Sequence, residues 1–233
     1  MSMTALVEYQ IRPETTSLTD WLEVWNKRAE DARDGEPETT AYAASVNVEN
    51  ELNVLVYERY QNGTSSLKAH SERPAHAALM ETMGAANMTK RRVMSTRFVD
   101  VPGYGWWGRP GSGSASTDTG CMLIVVGLRL ETDALEAFMR LSAEHADYCR
   151  DNEPETLIYS GGIAAADADR EIDVKKGDLI FVMGTTDELA RQRHAEDPKH
   201  LVLGPRMSAK GVEPVVTFKR TYRTTGRGFL WRD

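Results

Sequence analysis

The chain is poor in several things, and each shortage narrows what it can be. It has two cysteines in 233 residues, Cys121 and Cys149. They form neither a disulfide framework nor a metal spacing, and a cytosolic chain with reduced thiols is the plain expectation. No apolar run reaches the ~20 residues of a membrane helix. The opening residues, Met1 to Glu8, lack the basic and apolar regions of a secretion signal, so a cytoplasmic location is expected. An excess of positive charge is missing too: 28 Lys and Arg against 35 Asp and Glu give a net charge of −7. With the signs interspersed, neither a nucleic-acid face nor a membrane-surface helix is expected.

What the chain does have is itself, twice. Glu36-Pro-Glu-Thr-Thr-Ala-Tyr42 recurs as Glu153-Pro-Glu-Thr-Leu-Ile-Tyr159, a shift of 117 residues that also pairs Arg12 with Arg129, Leu18 with Leu135 and Trp21 with Phe138. His70-Ser-Glu-Arg-Pro-Ala-His76 recurs as His194-Ala-Glu-Asp-Pro-Lys-His200, shifted by 124. The seven added residues fall after Tyr159, where 164–177 reads as a longer polar turn. Gly103-Tyr-Gly-Trp-Trp107 is echoed by Gly226-Arg-Gly-Phe-Leu-Trp231. Matched blocks in one order mark an internal duplication. Residues 1–107 form repeat one, the Gly/Ser-rich 108–120 a flexible linker, and 121–233 repeat two.

Within a copy the hydrophobic period alternates between strand and helix. Residues 5–12 and 122–129 read as strands. Leu18, Trp21, Leu22, Trp25 and Ala29 then make one apolar helix face, matched by Leu135, Phe138, Met139, Ser142 and Ala146. Asp133 with Glu136 gives an N-cap signal for the second of these helices. Strands at 39–48 and 52–60 follow (157–165 and 179–184 in the second copy). A helix around His70 or His194 re-enters at Pro74 or Pro198, where proline suits a first turn. A last strand, 91–101 or 212–223, closes the unit. The order is βαββαβ, a ferredoxin-like α+β plan. Helices cover one face of each sheet, so the other face must be covered by the second copy. The expected fold is two repeats packed sheet to sheet, with tails 103–107 and 226–231 crossing to the opposite half.

These residues resemble the antibiotic biosynthesis monooxygenase family of dimeric α+β barrels. The likeness rests on the opening strand, the Trp-bearing helix, Glu-Pro-x-Thr-x-x-Tyr, Val-x-Tyr-Glu-Arg-Tyr and Ala-His-x-x-x-Pro-x-His, and it spans both copies. It implies an intramolecular dimeric α+β barrel, a pseudo-dimer within one chain, open to further homodimer formation. It also implies a cofactor-independent monooxygenase acting on a small hydrophobic aromatic or polyketide-type molecule, with no cofactor. An isomerase or cyclase, or a hydrophobic small-molecule binding protein, is the alternative on this scaffold. Two departures stand out. Glu38 and Glu155 replace the family's usual glycine, and Tyr60 stands where the haem-degrading branch has tryptophan, which argues against haem.

Candidate catalytic residues are His70 and His194, as proton acceptors that titrate near neutral pH, with Tyr60 and Glu58 on a strand face shared with Val54 and Val56. Each histidine could equally cap the broken helix. Trp21, Trp25, His76, Phe138, Ser142 and His200 are candidate substrate-binding residues, although aromatics at this spacing also serve as core. Ser142 in the place of Trp25 predicts a larger cavity in repeat two. The second copy is read with Phe181, Val182, Met183 and Gly184 opposite Tyr57 to Tyr60, so it lacks these polar groups. No metal is expected, because His-x5-His does not place two ligands on one helix face and no cysteine joins the pair. The G-x-G-x-x-G match at 103–108 leads into Arg-Pro-Gly-Ser and not a helix, which excludes a dinucleotide site.

Overall fold

A computed structural model describes residues 1–109 and 119–232. The first half runs β1 (Met3–Ile11), α1 (Leu18–Gly35), β2 (Thr39–Asn47), β3 (Asn53–Tyr60), α2 (Thr64–Ser71), α3 (Pro74–Ala85) and β4 (Thr89–Asp100). The second runs β5 (Thr119–Arg129), α4 (Leu135–Asn152), β6 (Thr156–Ala164), β7 (Asp169–Arg170), β8 (Leu179–Thr185), α5 (Glu188–Glu196), α6 (Pro198–Leu201), α7 (Leu203–Ser208) and β9 (Val215–Phe229). Both halves are ferredoxin-like α+β units, as the repeat predicts.

The two sheets do more than face each other. β2 pairs antiparallel with β9, and β4 with β6. Together with the pairings within each half, these close one barrel in the order β4-β1-β3-β2-β9-β5-β8-β6 and back to β4. Closure covers the edges of β2 and β9 along one seam, and joins β4 to β6 over Phe98–Asp100 along the other. Its interior is packed by Leu6, Leu55, Tyr57, Phe98, Leu123 and Tyr222 among others. Helices lie outside.

Inside the barrel, Glu8 is fully buried. Its carboxylate accepts from Asn47 at 3.1 Å and Asn53 at 3.0 Å in the first half. From the second half it accepts from Tyr222 at 3.0 Å and from the Arg220 guanidinium. A buried carboxylate survives only when its lone pairs are answered in this way.

The closing strands differ between halves. β9 continues to Phe229, well past the expected end at 223, because its backbone finds β2 alongside. β4 stops at Asp100, since Pro102 can neither donate to a ladder nor follow extended pairing. Both tails still cross. Trp106 exchanges backbone hydrogen bonds with Tyr159 and packs against Ile124, Ala146 and Met183. Phe229 pairs with Tyr42 and packs among Trp21, Trp25 and Leu79. Gly105 (φ +62°) and Gly228 (φ +81°) adopt positive φ at these crossings, and a Cβ on either would collide with the carbonyl oxygen of Tyr159 or Tyr42. Only glycine fits.

Four expectations need correction. The N-cap lies in the first copy: Ser17 accepts from Asp20 in a capping box, whereas α4 starts from Ala134 without a side-chain cap. The turn after β6 is not merely polar. Ile172 and Val174 dip into the barrel core, and β7 extends the wall beside β4. The strand alignment of β3 with β8 is shifted by one. Tyr60 pairs with Thr39 as Thr185 pairs with Thr156, and Glu58 with Tyr42 as Met183 with Tyr159, so Thr185 is the counterpart of Tyr60 and Met183 that of Glu58. The linker expected at 108–120 lies mostly outside the described residues. At its ends Arg109 donates to the carbonyls of Arg150, Glu153 and Thr156, and β5 already begins at Thr119.

Cutting the chain after Arg227 removes Phe229, Leu230 and Trp231, which are 2, 3 and 6% exposed. By analogy with large-to-small aromatic truncation, a loss of at least about 3–5 kcal/mol is expected in denaturant unfolding. An unchanged midpoint would show that the crossing arm contributes nothing to stability.

Candidate functional site

Each half holds a cavity between its sheet and its helices. The first, about 220 Å³, is lined by Tyr9, Trp21, Trp25, Tyr42, Glu58 and His76, with Met80 and Met83 at its edge. The helical spacing that buries Trp21 and Trp25 also turns them toward this space. Trp25 stacks on Tyr42 with ring centroids 4.7 Å apart, and Trp21 Nε1 donates to Thr89 at 3.2 Å. The expected substrate-binding residues Trp21, Trp25 and His76 therefore meet at one cavity.

Glu58 is the sole carboxylate on that wall. Burial pushes its pKa up, and this outweighs the opposing influence of His70, of the Tyr60 hydroxyl and of nearby arginines. Tyr60 donates to Glu58 Oε2 at 2.7 Å. The alternation of β3 puts both on the helix side of the sheet. His76 is shifted down, first by burial and then by the charges of His70 and Arg28. Its Nδ1 is buried without a hydrogen-bond partner.

His70 does not line this cavity. It sits behind the wall, 2% exposed, with Nδ1 2.7 Å from both Glu36 Oε2 and Arg28 Nη2. One nitrogen cannot donate to one and accept from the other. Pairing with Glu36 makes Nδ1 the donor, while Arg28 donates to Glu36 at 2.5 Å and to the His70 carbonyl at 3.0 Å. Thr39 also donates to Glu36 at 2.7 Å. Burial raises the Glu36 pKa, but hydrogen bonds from His70, Thr39 and Arg28 overcome it and hold the carboxyl at about 2. The histidine that lines the first cavity is therefore His76 on α3, and His70 stands behind it.

The second cavity is larger, about 300 Å³, as the exchange of Trp25 for Ser142 predicts. Part of the vacated space is filled by Tyr104 from the first tail, whose hydroxyl lies 2.5 Å from Ser142 Oγ. Phe138, Ser142, His194 and His200 all line this cavity, beside Tyr159 and Met183. His194 Nδ1 pairs with Glu153 Oε2 at 2.8 Å, repeating the His70–Glu36 contact. No carboxylate lines this second wall, because Met183 stands in the place of Glu58.

The residue that sequence reasoning missed is His145. It is 3% exposed on α4, with its ring centroid 5.5 Å from His194 and 5.4 Å from His200. Burial, then the charges of His194 and His200, push its pKa down to about 4. The signal that could have found it is the shift of 117, which places His145 opposite Arg28 and Cys149 opposite Ala32. Cys149 Sγ lies 3.9 Å from His194 Nδ1. The argument from spacing that no cysteine joins the histidine pair therefore fails in three dimensions.

Comparison with known proteins agrees with this geometry. Residues 2–82 match the antibiotic biosynthesis monooxygenase family. The first repeat is thus similar to that family over 81 of the chain's 233 residues. The match spans β1 to the middle of α3 and so includes the whole first cavity wall as far as Met80. Two solved structures are similar over nearly the full chain. One is a Lactobacillus acidophilus protein proposed to be a monooxygenase, with 10% identity, 100% of this chain and 99% of that one covered, and a TM-score of 0.68. The other is a Fusobacterium nucleatum protein with the same proposed activity, with 8% identity, 98% and 93% covered, and a TM-score of 0.69. An anthrone oxidase-like protein matches at 9% identity and a TM-score of 0.54, over 96% of this chain and 91% of its own. At such identities the likeness is one of fold, and it extends through the tandem arrangement. No curated protein matches the chain.

The Glu36 cluster carries a pH signature. A carboxyl whose folded pKa is depressed stabilises the fold above its unfolded value near 4.5 and loses that contribution as the pH falls toward about 2. The expected loss across that window is on the order of 3 kcal/mol. Glu36→Gln should be less stable at neutral pH, because buried Arg28 keeps Asp31 but loses its nearer carboxylate, and should show a shallower decline between pH 5 and 2. Identical slopes for the two proteins in urea unfolding would remove Glu36 from this role.

Proposed function

We propose that the first half is a cofactor-independent oxygenase site for a small, hydrophobic, weakly acidic aromatic molecule of the polyketide type. The observation that carries this reading is the Glu58 carboxyl, held at raised pKa as the one carboxylate in a cavity lined mainly by aromatic and aliphatic side chains. A cavity meant only to hold an apolar molecule gains nothing from a desolvated carboxylate. A cavity meant to remove a proton does, since a carboxylate of raised pKa is a stronger base than one in water.

In this reading a planar substrate lies against Trp21, Trp25 and Tyr42 and presents an acidic C–H or phenolic O–H to Glu58. Deprotonation yields a delocalised anion electron-rich enough to reduce dioxygen. Addition of oxygen at the activated carbon gives a hydroperoxide, and loss of water leaves a carbonyl. A methylene plus O2 becomes C=O plus H2O. Tyr60 orients Glu58 through its 2.7 Å hydrogen bond. His76, neutral near pH 7, is placed to hold the oxygen atom that the substrate exposes. The anthrone oxidase-like neighbour and the family that residues 2–82 match support the reaction class. His70 takes a positioning role behind the wall, and the buried cysteines Cys121 and Cys149, not joined in a disulfide, suit a cytoplasmic setting.

Oxygen uptake with a model anthrone tests the reading. Glu58→Gln should lower the rate about 10²–10⁴-fold, the usual weight of a general base, while leaving affinity for the quinone product within about tenfold. The wild-type rate should rise with pH through a midpoint above the ordinary carboxylate range and then level off. A Gln variant that consumes oxygen at the wild-type rate would leave only hydrophobic binding.

A further inference from the structure

The two halves share an anion and a histidine but not the group that answers them. In the first half Arg28 lies against Glu36 and His70. In the second, Glu153 and His194 repeat the pair at 2.8 Å, and His145 takes the place of Arg28. His200 completes a ring cluster, 4.5 Å from His194 between centroids. His145, His194 and His200 each offer a nitrogen within 4.8 Å of the other two. Cys149 and Glu153 gather within the same distance around His194 on the far side.

Three atoms here are buried without a hydrogen-bond partner: His145 Nε2, His200 Nδ1 and Glu153 Oε1. Each such group costs about 1–3 kcal/mol if nothing answers it. Two of them, His145 Nε2 and His200 Nδ1, belong to the rings that gather beside His194 in the half that lacks the arginine, which is the pattern of ligands awaiting a cation.

We propose that His145, His194 and His200 form a divalent transition-metal site with the preferences of zinc, opening onto the apolar cavity of the second half. Imidazole nitrogen suits zinc, cobalt, nickel and copper, whereas magnesium and calcium require oxygen. Glu153 Oε2 takes the Nδ1–H of His194, the carboxylate brace that commonly fixes a metal-bound histidine and leaves Nε2 free for the ion. Zinc–nitrogen bonds of about 2.0–2.1 Å place tetrahedral ligands roughly 3.3 Å apart, so the rings close by about an ångström or more from their outer limit. Three protein ligands leave a fourth position, and the cavity wall to which His194 and His200 belong lies beside it. The first half cannot do the same, because the Arg28 guanidinium already fills the equivalent place with fixed charge. This inference is independent of the oxygenase reading.

Titration of the untagged full chain with Co²⁺, followed by visible absorption, and with Zn²⁺ by calorimetry, tests it. One equivalent should bind with the intense visible bands of a four-coordinate cobalt ion. His145→Arg, which installs the residue of the first half opposite Glu153, should lower the affinity at least about 100-fold, some 2.7 kcal/mol. His200→Ala, at a partly exposed position, should lower it at least about tenfold and serves if the arginine variant does not fold. Glu58→Gln should leave the cobalt spectrum unchanged, which separates this site from the first cavity. Absence of one-equivalent binding, or folded His145→Arg and His200→Ala variants that bind as the parent does, would overturn the proposal.

Discussion

The unpaired backbone of two edge strands governs this molecule. A four-stranded ferredoxin-like sheet ends in β2 on one side and β4 on the other, and each edge exposes donors and acceptors that seek partners. The second copy supplies them: β9 runs along β2, and β6 meets β4. Closing the barrel in this way forces the chain ends past the junctions and into the helix layer of the opposite half. Trp106 and Phe229 are therefore buried because the edges are paired, and they are placed by two glycines that no other residue can replace. It follows that neither cavity belongs to one half alone. Tyr104 of the first repeat bonds Ser142 beside the second cavity, while Phe229 of the second repeat packs behind Trp25 of the first.

The barrel interior obeys a second constraint, that buried charge must be met. Glu8 is met by two donors from each half, so the carboxylate specifies how the halves meet as well as sitting between them. The matching position in the second half, aligned through Leu55 and Ile180, is Gly127. A carboxylate there would bring a second negative charge into the same enclosed space, where repulsion is poorly screened. A Cβ at Gly127 would also press on the Phe218 ring at 2.5 Å. Arg59 shows the same economy of partners: it donates to Thr4 and Asp100, and its guanidinium stacks 3.6 Å above Trp107.

Much of this was legible in the sequence, and the reasons for the rest are physical. Period and block order were enough for the duplication, the element order and the crossing tails, because each depends on patterns many residues long. The one-residue error in β8 came from the connections around it: the turn before β8 carries one residue more than block matching gives, and the link from β8 to His194 one fewer. The apolar residues of the 164–177 turn, Ile172 and Val174, were hidden by polar neighbours and show their role only once the barrel has an inside. His76 and Glu58 were named from the sequence, but their meeting at one cavity depends on the angle of α3 over the sheet. His145 escaped for a different reason. Weighing residues by whether they repeat favours what the halves share, and His145 is a position where they differ.

That difference is what duplication within one chain makes possible. In a homodimer every substitution appears at both sites, so a change from arginine to histidine behind the Glu–His pair would alter both cavities together. Joined in one chain, the halves keep the common frame of Glu36 with His70 and Glu153 with His194, and change what surrounds it independently. The first retains a built-in cation at Arg28 and a carboxyl facing its cavity at Glu58. The second has His145 and Met183 at these places, and three imidazoles gather there. The proposed base and the proposed metal ligands ask opposite things of their surroundings: one needs its negative charge kept unneutralised, the other takes a positive ion. Placing them in separate halves of one barrel lets each environment be set without disturbing the other.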